Sequence, residues 1–553
     1  MERLMEMVKA KVAVLAALAL VSCSRVPLAY DWEKFGIDGH RTGVTVPAAD
    51  NIPQALGTIS PDGTYNAPNG RVFKGGSTPE VASLLMEVQP GLAALKEVVA
   101  ISPQGLSVYP PESPLSNFIV DNLARDVAEI TGKKVDVGIV NFGGIRCNLP
   151  AGNVLLDDVV SMLPFKNYGT WLSVKGTDLR AFIEQLAAEG PQCVSGARVV
   201  VKDGKLESVL IGGKPLDDNK YYGVATIDFL LDGGDNIRLA RNARQMIITD
   251  WKLGDLILAD IRELKAAGKP LEYGMDGRFV VEGADRLSRR DPFKAEPYSG
   301  TVPSRKPRLV VIHCNDTHSH FDPFLTGEGV LMGGIIERAA FVDSIRAAYP
   351  ASKVLFLHAG DFNQGTSYYS ELGGSLEPKM INAMKYDCIT LGNHELDDGI
   401  ESLAERLSVV DCPVVCANCE FPAPLSSVVE PYTIIKRGGM KIGIIGLESD
   451  IATMVSATIA DRVQQIDNVT AVMEWAPYLK HEEKCDMVIL LSHIGYSEDL
   501  ALIPRVRDVD LVVGGHSHTF VDGLASAVDL DGKTVPVITD GCWGQEMGLV
   551  KVY

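Results

Sequence analysis

From residue 308 onward, short apolar, β-rich runs alternate with helical patterns: "RLVVIH", "GGIIERAAFVDSIRAA", "KVLFLHAG", "CITLG", "KIGIIGLE", "DMVILLSH" and "DLVVGG". That rhythm restricts this part of the chain to a layered α/β domain. Polar side chains follow directly on the strand-like runs. Asp316 and His318 come after the first, Asp361 after "FLHAG", and Asn393 and His394 after "ITLG". His493 ends "VILLSH", and His516 and His518 follow "LVVGG". Ligands of open α/β sheets gather beyond the carboxyl ends of strands, so groups spread over about 200 positions are predicted to converge.

Carboxylate, amide and imidazole ligands together would serve a pair of divalent ions. The mixed set suits zinc, manganese or iron better than calcium, and the lack of a thiolate argues against a structural zinc. A single His or Asp in such a place is more often structural, whereas five motifs in this order are not. His40 stands apart from the other nine histidines, which all follow residue 312. Of these, His313 and His358 read as packing residues, His320 as a supporting neighbour of the site, and His481 as solvated surface.

At 553 residues the chain is long enough for two or three domains. The stretch 285–307, "DRLSRRDPFKAEPYSGTVPSRKP", is rich in proline, charge and small residues and reads as a linker. Residues 24–80 show little periodicity and are expected to be an extended N-terminal segment. The net charge of −19 excludes a nucleic-acid polymer as partner, because phosphate backbones are bound by basic surfaces.

Near the N-terminus, Lys9 and Lys11 precede the run "VAVLAALALV", too short to span a bilayer but long enough for a signal-peptide core. It runs into Leu20-Val21-Ser22-Cys23, which looks like a bacterial lipobox with Cys23 as the lipidated residue. Residues 1–23 are therefore expected to be a lipoprotein signal, giving an exported, membrane-anchored protein of the periplasm, outer membrane or cell surface. The nine other cysteines are scattered, which is no disulfide scaffold, and Cys412, Cys416 and Cys419 read as buried or idle thiols rather than a cluster site.

The motifs "NDTHSH", "GDFNQG", "GNHELD", "SHIG" and "GGHSHT" make 308–553 resemble the calcineurin-like metallophosphoesterases, in the variants of the 5'-nucleotidase family. The resemblance implies a four-layer α/β catalytic domain with two divalent metal ions. One would be held by Asp316, His318, Asp361 and His518, the other by Asp361, Asn393, His493 and His516, with Asp361 bridging. His394 is similar to the family's catalytic histidine, with Asp397 orienting its second ring nitrogen. Upstream, "ESPLSNFIVDNLA", "VGIVNFGGIRCNLPAG", "LPFKN" and "DFLLDGGDNI" resemble the family's α/β substrate-binding domain, assigned to 81–284. That domain normally follows the metal domain, so the order here is swapped.

By the same resemblance, Asn141 and Arg146 would touch the phosphate or ribose of a nucleotide, Phe165 and Phe229 would stack on its base, and Asp235 would reach the ribose. From their own surroundings the two phenylalanines equally suit core packing, and Gly233-Gly234-Asp235 equally suits a turn. A further arginine that the family usually carries is absent from "VYPPESPLSN", so either Lys166 or another residue compensates, or substrates with less phosphate charge are preferred, or nucleotide binding by this domain is weakened. The function implied is release of phosphate from nucleoside 5'-monophosphates, with nucleotide sugars and cyclic nucleotides as further substrates. The alternatives are a thiosulfohydrolase-like enzyme and a non-catalytic nutrient-binding lipoprotein. A 23-residue linker reaches at most about 75 to 83 Å, so the two domains can pair within one chain or across a homo-oligomer.

Overall fold

The computed structural model describes residues 28–48, 50–283, 295–326 and 329–553. Cys23 and the greater part of the charged first half of the linker lie outside them. No helix of the described residues is long and apolar enough to cross a membrane.

The C-terminal half is built on two sheets. One runs in the order Tyr30–Gly36, Glu546–Val552, Leu309–Cys314, Val354–His358, Cys388–Thr390 and Val414–Val415. The other runs Glu296–Pro297, Ala525–Val528, Thr534–Ile538, Leu511–Gly514, Met487–His493, Met440–Glu448 and Tyr432–Arg437. The strands that carry the polar motifs are parallel within each sheet. Strand Leu309–Cys314 shows why the runs are almost wholly apolar. Leu309 and Val311 join the core with the facing sheet, while Val310 and Ile312 join the core under helix Ile335–Ala348. Both faces are covered, so the run does not alternate. Helices Asn468–Pro477 and Tyr496–Leu502 bury Ala471, Val472 and Leu500 in the core that contains the second sheet.

Residues 99–279 enclose a separate core. Its five-stranded sheet runs Gln245–Lys252, Tyr168–Lys175, Tyr221–Ile227, Val137–Val140 and Cys193–Ser195, with helices Pro114–Thr131, Gly176–Glu189 and Leu253–Ala266 packed into the same core.

The N-terminal stretch departs from the expectation of an extended segment over 24–80. Strand Tyr30–Gly36 pairs antiparallel with Glu546–Val552, and the Tyr553 amide donates to the Ala29 carbonyl at 3.0 Å. Helix Thr78–Val88 crosses the expected boundary at 80/81 and packs with the C-terminal half. Asp343, on helix Ile335–Ala348, accepts the backbone amides of Ser77 and Thr78 and the Thr78 hydroxyl. Ile37, Val44, Leu56, Tyr65, Val81, Leu85, Leu92 and Leu95 are buried in the same core as Val310 and Phe356. The elements between 50 and 75 are two-residue strands and a five-residue helix, too short to register as periodicity.

Eight buried side chains at about 1.5 to 3 kcal/mol each match the whole stability of an ordinary domain. A chain of residues 308–553 alone is therefore expected to express without a cooperative thermal transition, whereas the full chain melts cooperatively; circular dichroism of both decides it.

Candidate metal centre and substrate face

The polar motifs converge in loops at the carboxyl ends of the parallel strands. Their backbone is unusual: φ is 48° at Asp316, 45° at His318, 54° at Asp361, 75° at His516 and 52° at His518. Left-handed conformations at non-glycine residues persist where surrounding contacts over-determine them. Here the Asp316 amide donates to Gly360, the His318 amide to Asp361, and the Trp543 amide to the Asp316 carbonyl.

Two groups of ligand atoms result, Asp316, His318 and His518 in one and Asp361, His493 and His516 in the other, each with its atoms within 4.8 Å of one another. The groups adjoin. His318 Nε2 lies 3.7 Å from Asp361 Oδ2, and His493 Nε2 lies 3.1 Å from the same oxygen and 3.9 Å from Asp316 Oδ1. Asn393 Oδ1 is 3.0 Å from His516 Nδ1. All seven expected ligands are thus brought together.

The hydrogen bonds at the outer ring nitrogens test whether the set fits a cation. His493 Nδ1 donates to the Ala359 carbonyl at 2.6 Å, and His318 Nδ1 faces the carbonyls of Asn363 and Gln364 at 3.2 and 3.1 Å. With the proton fixed on Nδ1, each Nε2 turns a lone pair inward. His493 Nε2 is buried with no hydrogen-bond partner, and two carboxylates share the space. Lone pairs and carboxylates pressed together in a buried site require positive charge between them. The donor set therefore fits divalent cations.

His394 stands beside the groups. Its Nδ1 is 2.9 Å from Asp397 Oδ2, and its amide donates to Asp361 Oδ1 at 3.0 Å. Burial opposes a charge on the ring, but Asp397 and Asp361 outweigh it and hold the pKa above the ordinary histidine value.

The N-terminal domain presents its residues to the same place. Phe165 stacks on His394 with ring centres 5.5 Å apart, and the Arg146 guanidinium lies 5.8 Å from the Phe165 ring centre. Buried Arg146 Nε and Nη2 have no hydrogen-bond partner. Desolvation lowers the Arg146 pKa, against the pull of Asp361, Asp397 and Asp316 across the domain boundary. Asn141 Nδ2 donates to Asp235 Oδ2 at 2.7 Å, and burial raises the Asp235 pKa against that bond and the nearby charges of His394 and Arg146. Gly144 lets the loop close on this pair, since a Cβ there would meet Asn141 Oδ1 at 2.9 Å.

The two phenylalanines, expected as base platforms, have different surroundings. Phe165 already has His394 and Arg146 as neighbours. Phe229 is half-buried against the domain core, and a Cβ on Gly234 would meet its ring at 2.8 Å, so the ring underlies the turn that carries Asp235. Lys166, a candidate to compensate for the absent arginine, pairs its ammonium with Asp398 of the other domain at 2.8 Å. In "VYPPESPLSN", Glu112 is occupied by the backbone amides of Asp276, Gly277 and Arg278 and by Asn117.

The other histidines sit outside the two ligand groups. His313 is buried 2.6 Å from Asp540, His358 contacts the Thr317 hydroxyl, exposed His481 pairs with Asp508, and His320 stacks on Trp543 beside His518. Sequence reasoning passed over Glu395, which accepts backbone amides in two ligand loops, and Asn315, which donates to Asp316 Oδ2 at 2.6 Å. Both lie inside the motifs, Asn315 in "NDTHSH" and Glu395 in "GNHELD", but nothing in those motifs marks the partners they bind.

Known proteins match both halves. The family described as calcineurin-like phosphoesterase matches residues 309–520, and the 5'-nucleotidase, C-terminal domain matches residues 95–241. Human 5'-nucleotidase is 32% identical over 268 residues, covering 44% of this chain and 46% of that protein. A probable 5'-nucleotidase of Treponema pallidum is 34% identical over 218 residues, 38% of this chain and 36% of that protein. The solved 5'-nucleotidase precursor of Thermus thermophilus shares 32% identity, with 44% of this chain and 50% of that one covered and a TM-score of 0.40. The chain spans half or less of the length of these relatives. The chain thus carries a part similar to calcineurin-like phosphoesterases, with two groups of metal-type ligands, and before it a part similar to the 5'-nucleotidase C-terminal domain, the reverse of the order in which that family has its two domains.

Proposed function

We propose that the chain releases phosphate from nucleoside 5'-monophosphates, at a site formed by both domains of one chain. The observation that carries this reading is Arg146. Its buried, unpartnered guanidinium nitrogens reach from the nucleotidase-type domain toward the carboxylate-histidine groups and lie beside the Phe165–His394 stack. Nη1 has only a long 3.5 Å bond to the Gly143 carbonyl, so the Nε and Nη2 side of this planar fork is free to take a phosphoryl group.

Asp316, His318, Asp361 and His518 would hold one divalent ion and Asp361, Asn393, His493 and His516 a second. Bound there, such ions polarise phosphoryl oxygens and lower the pKa of water. The chain's own residues supply the rest. Arg146 orients the phosphoryl group and neutralises part of its charge. His394, held by Asp397, stands ready to donate a proton or hydrogen bond to phosphoryl or leaving-group oxygen. Asn141 and Asp235 form a polar pair suited to ribose hydroxyls. Export and lipid anchoring at Cys23 complete the proposal, placing this hydrolysis outside the cytoplasm.

The test is phosphate release from AMP, UMP, UDP-glucose and a 2',3'-cyclic nucleotide, with and without chelator. Chelator-sensitive release, greatest with a 5'-monophosphate, is expected; no metal-dependent release from any substrate overturns the reading. A charge-assisted hydrogen bond is worth about 1.5 to 3 kcal/mol, so Arg146→Ala is expected to lower kcat/KM about 10- to 150-fold. Arg146→Lys should recover only part, because an ammonium lacks the fork.

A further inference from the structure

Glu395 lies in "GNHELD" but is not among the expected ligands or the catalytic pair. It is fully buried as the third residue of the short turn Asn393–Leu396. Its Oε2 accepts the amide of Gly392 at 2.6 Å, an ordinary capping bond for such a turn. Two further bonds come from a different loop. The same oxygen accepts the Asp361 amide at 2.8 Å, and Oε1 accepts the Asn363 amide at 2.9 Å. One carboxylate thereby ties the loop of Asp361, Asn363 and Gln364 to the loop of Asn393 and His394.

The groups fixed by these bonds are those that set the centre. Asp361 stands between His318 and His493, and the Asn363 carbonyl faces His318 Nδ1. Gly392 leaves no slack, since a Cβ there would collide with the Asp361 carboxylate and the His493 ring. An apolar side chain in place of Glu395 would strand three buried amides with no acceptor. A glutamine would point its amide hydrogens at a backbone N–H.

We infer that Glu395 is the positioning residue of the metal centre, setting the spacing of Asp361 and Asn393 by binding the backbone of both ligand loops. This inference rests on the metal-centre reading and is independent of which phosphate ester is hydrolysed. Partners that orient ligands typically change metal affinity about 10- to 100-fold when replaced.

The test titrates the chelator-stripped full chain with Co2+, following its visible absorbance, for wild type, Glu395→Gln, Glu395→Asp and Glu377→Gln. Glu377 is a buried carboxylate that accepts the Ser319 hydroxyl beside His318 but no ligand-loop amide, so its variant reports the loss of a buried bond that does not tie the Asp361 and Asn393 loops together. Two Co2+ per wild-type chain are expected, with one step weakened about 10- to 100-fold in Glu395→Gln, less in Glu395→Asp, and unchanged in Glu377→Gln whatever its melting temperature. Wild-type Co2+ affinity in both Glu395 variants overturns the inference. Failure of the wild type to bind Co2+ overturns the metal-centre reading instead. Hydrogen exchange of the wild-type apo chain gives a check without variants: the amides of Asp361, Asn363 and Gly392 should exchange slowly, and rapid exchange at all three also overturns the inference.

Discussion

Asp361→Asn is expected to fold normally, to hold at most one divalent ion per chain, and to lose at least about 1,000-fold in phosphate release. The fold should survive because asparagine is isosteric and is among the few residues that accept φ near +54° without strain. The site should not, because Asp361 reaches histidines of both ligand groups and in the proposed arrangement would bridge the two ions. Its Oδ2 lies 3.1 Å from His493 Nε2 and 3.7 Å from His318 Nε2, and its Oδ1 anchors the His394 amide. Removing its charge leaves two cations with too little compensation. Metal assistance is worth several kcal/mol of transition-state stabilisation, and each 1.36 kcal/mol is tenfold in rate, so roughly three orders of magnitude follow. Elemental analysis, a thermal melt and a phosphate assay on the same preparation check all three parts. Two bound ions with more than a tenth of wild-type activity would remove Asp361 from the bridging position. Asp361→Ala is the poorer experiment, since alanine at this φ would confound backbone strain with lost charge.

The same residues show what a sequence discloses and what it hides. The candidate ligands were legible as a converging set because each ends an apolar strand, and parallel strands of one sheet must deliver their ends to one edge. Leu309–Cys314 and Met487–His493 are buried on both sides and carry no alternation, yet the polar group after each run was unmistakable. Residues 28–96 were illegible for the opposite reason. Their elements are short and borrow order from a distant partner: Tyr30–Gly36 from Glu546–Val552, and the start of helix Thr78–Val88 from Asp343. No local pattern encodes a strand whose neighbour is more than 500 positions away. Glu395 was hidden because its partners are backbone amides, which leave no trace in residue identity. Phe165 and Phe229 were readable as aromatic groups near a ligand, but an aromatic side chain packs equally on a base, a histidine or a turn. The surroundings of Phe165 are His394 and Arg146, and those of Phe229 include the Gly234–Asn236 turn.

His394→Ala separates chemistry from metal binding. No ligand atom of either group comes from the His394 side chain, so the variant is expected to keep its full metal content and its melting temperature within a few degrees. Its ring nevertheless sits where charge must move. Nδ1 is engaged by Asp397 Oδ2 at 2.9 Å, which fixes the tautomer and leaves Nε2 for the substrate. Phe165 on one side and His318, whose ring centre is 5.3 Å away, on another restrict the ring's orientation. A positioned proton donor contributes about 100- to 10,000-fold, and kcat should fall by that factor while KM changes little. Asp397→Asn should fall less, about 10- to 100-fold, because the amide still restrains the ring but no longer favours its charged form. A substrate whose leaving group needs no proton, such as a nitrophenyl phosphate, should lose less in His394→Ala than AMP does if the ring serves the leaving group. Equal losses for both substrates would assign it to the phosphoryl oxygens. Wild-type turnover of both substrates by a fully metallated His394→Ala chain would remove the histidine from the reaction, and with it the argument that Asp397 is held beside it for catalysis.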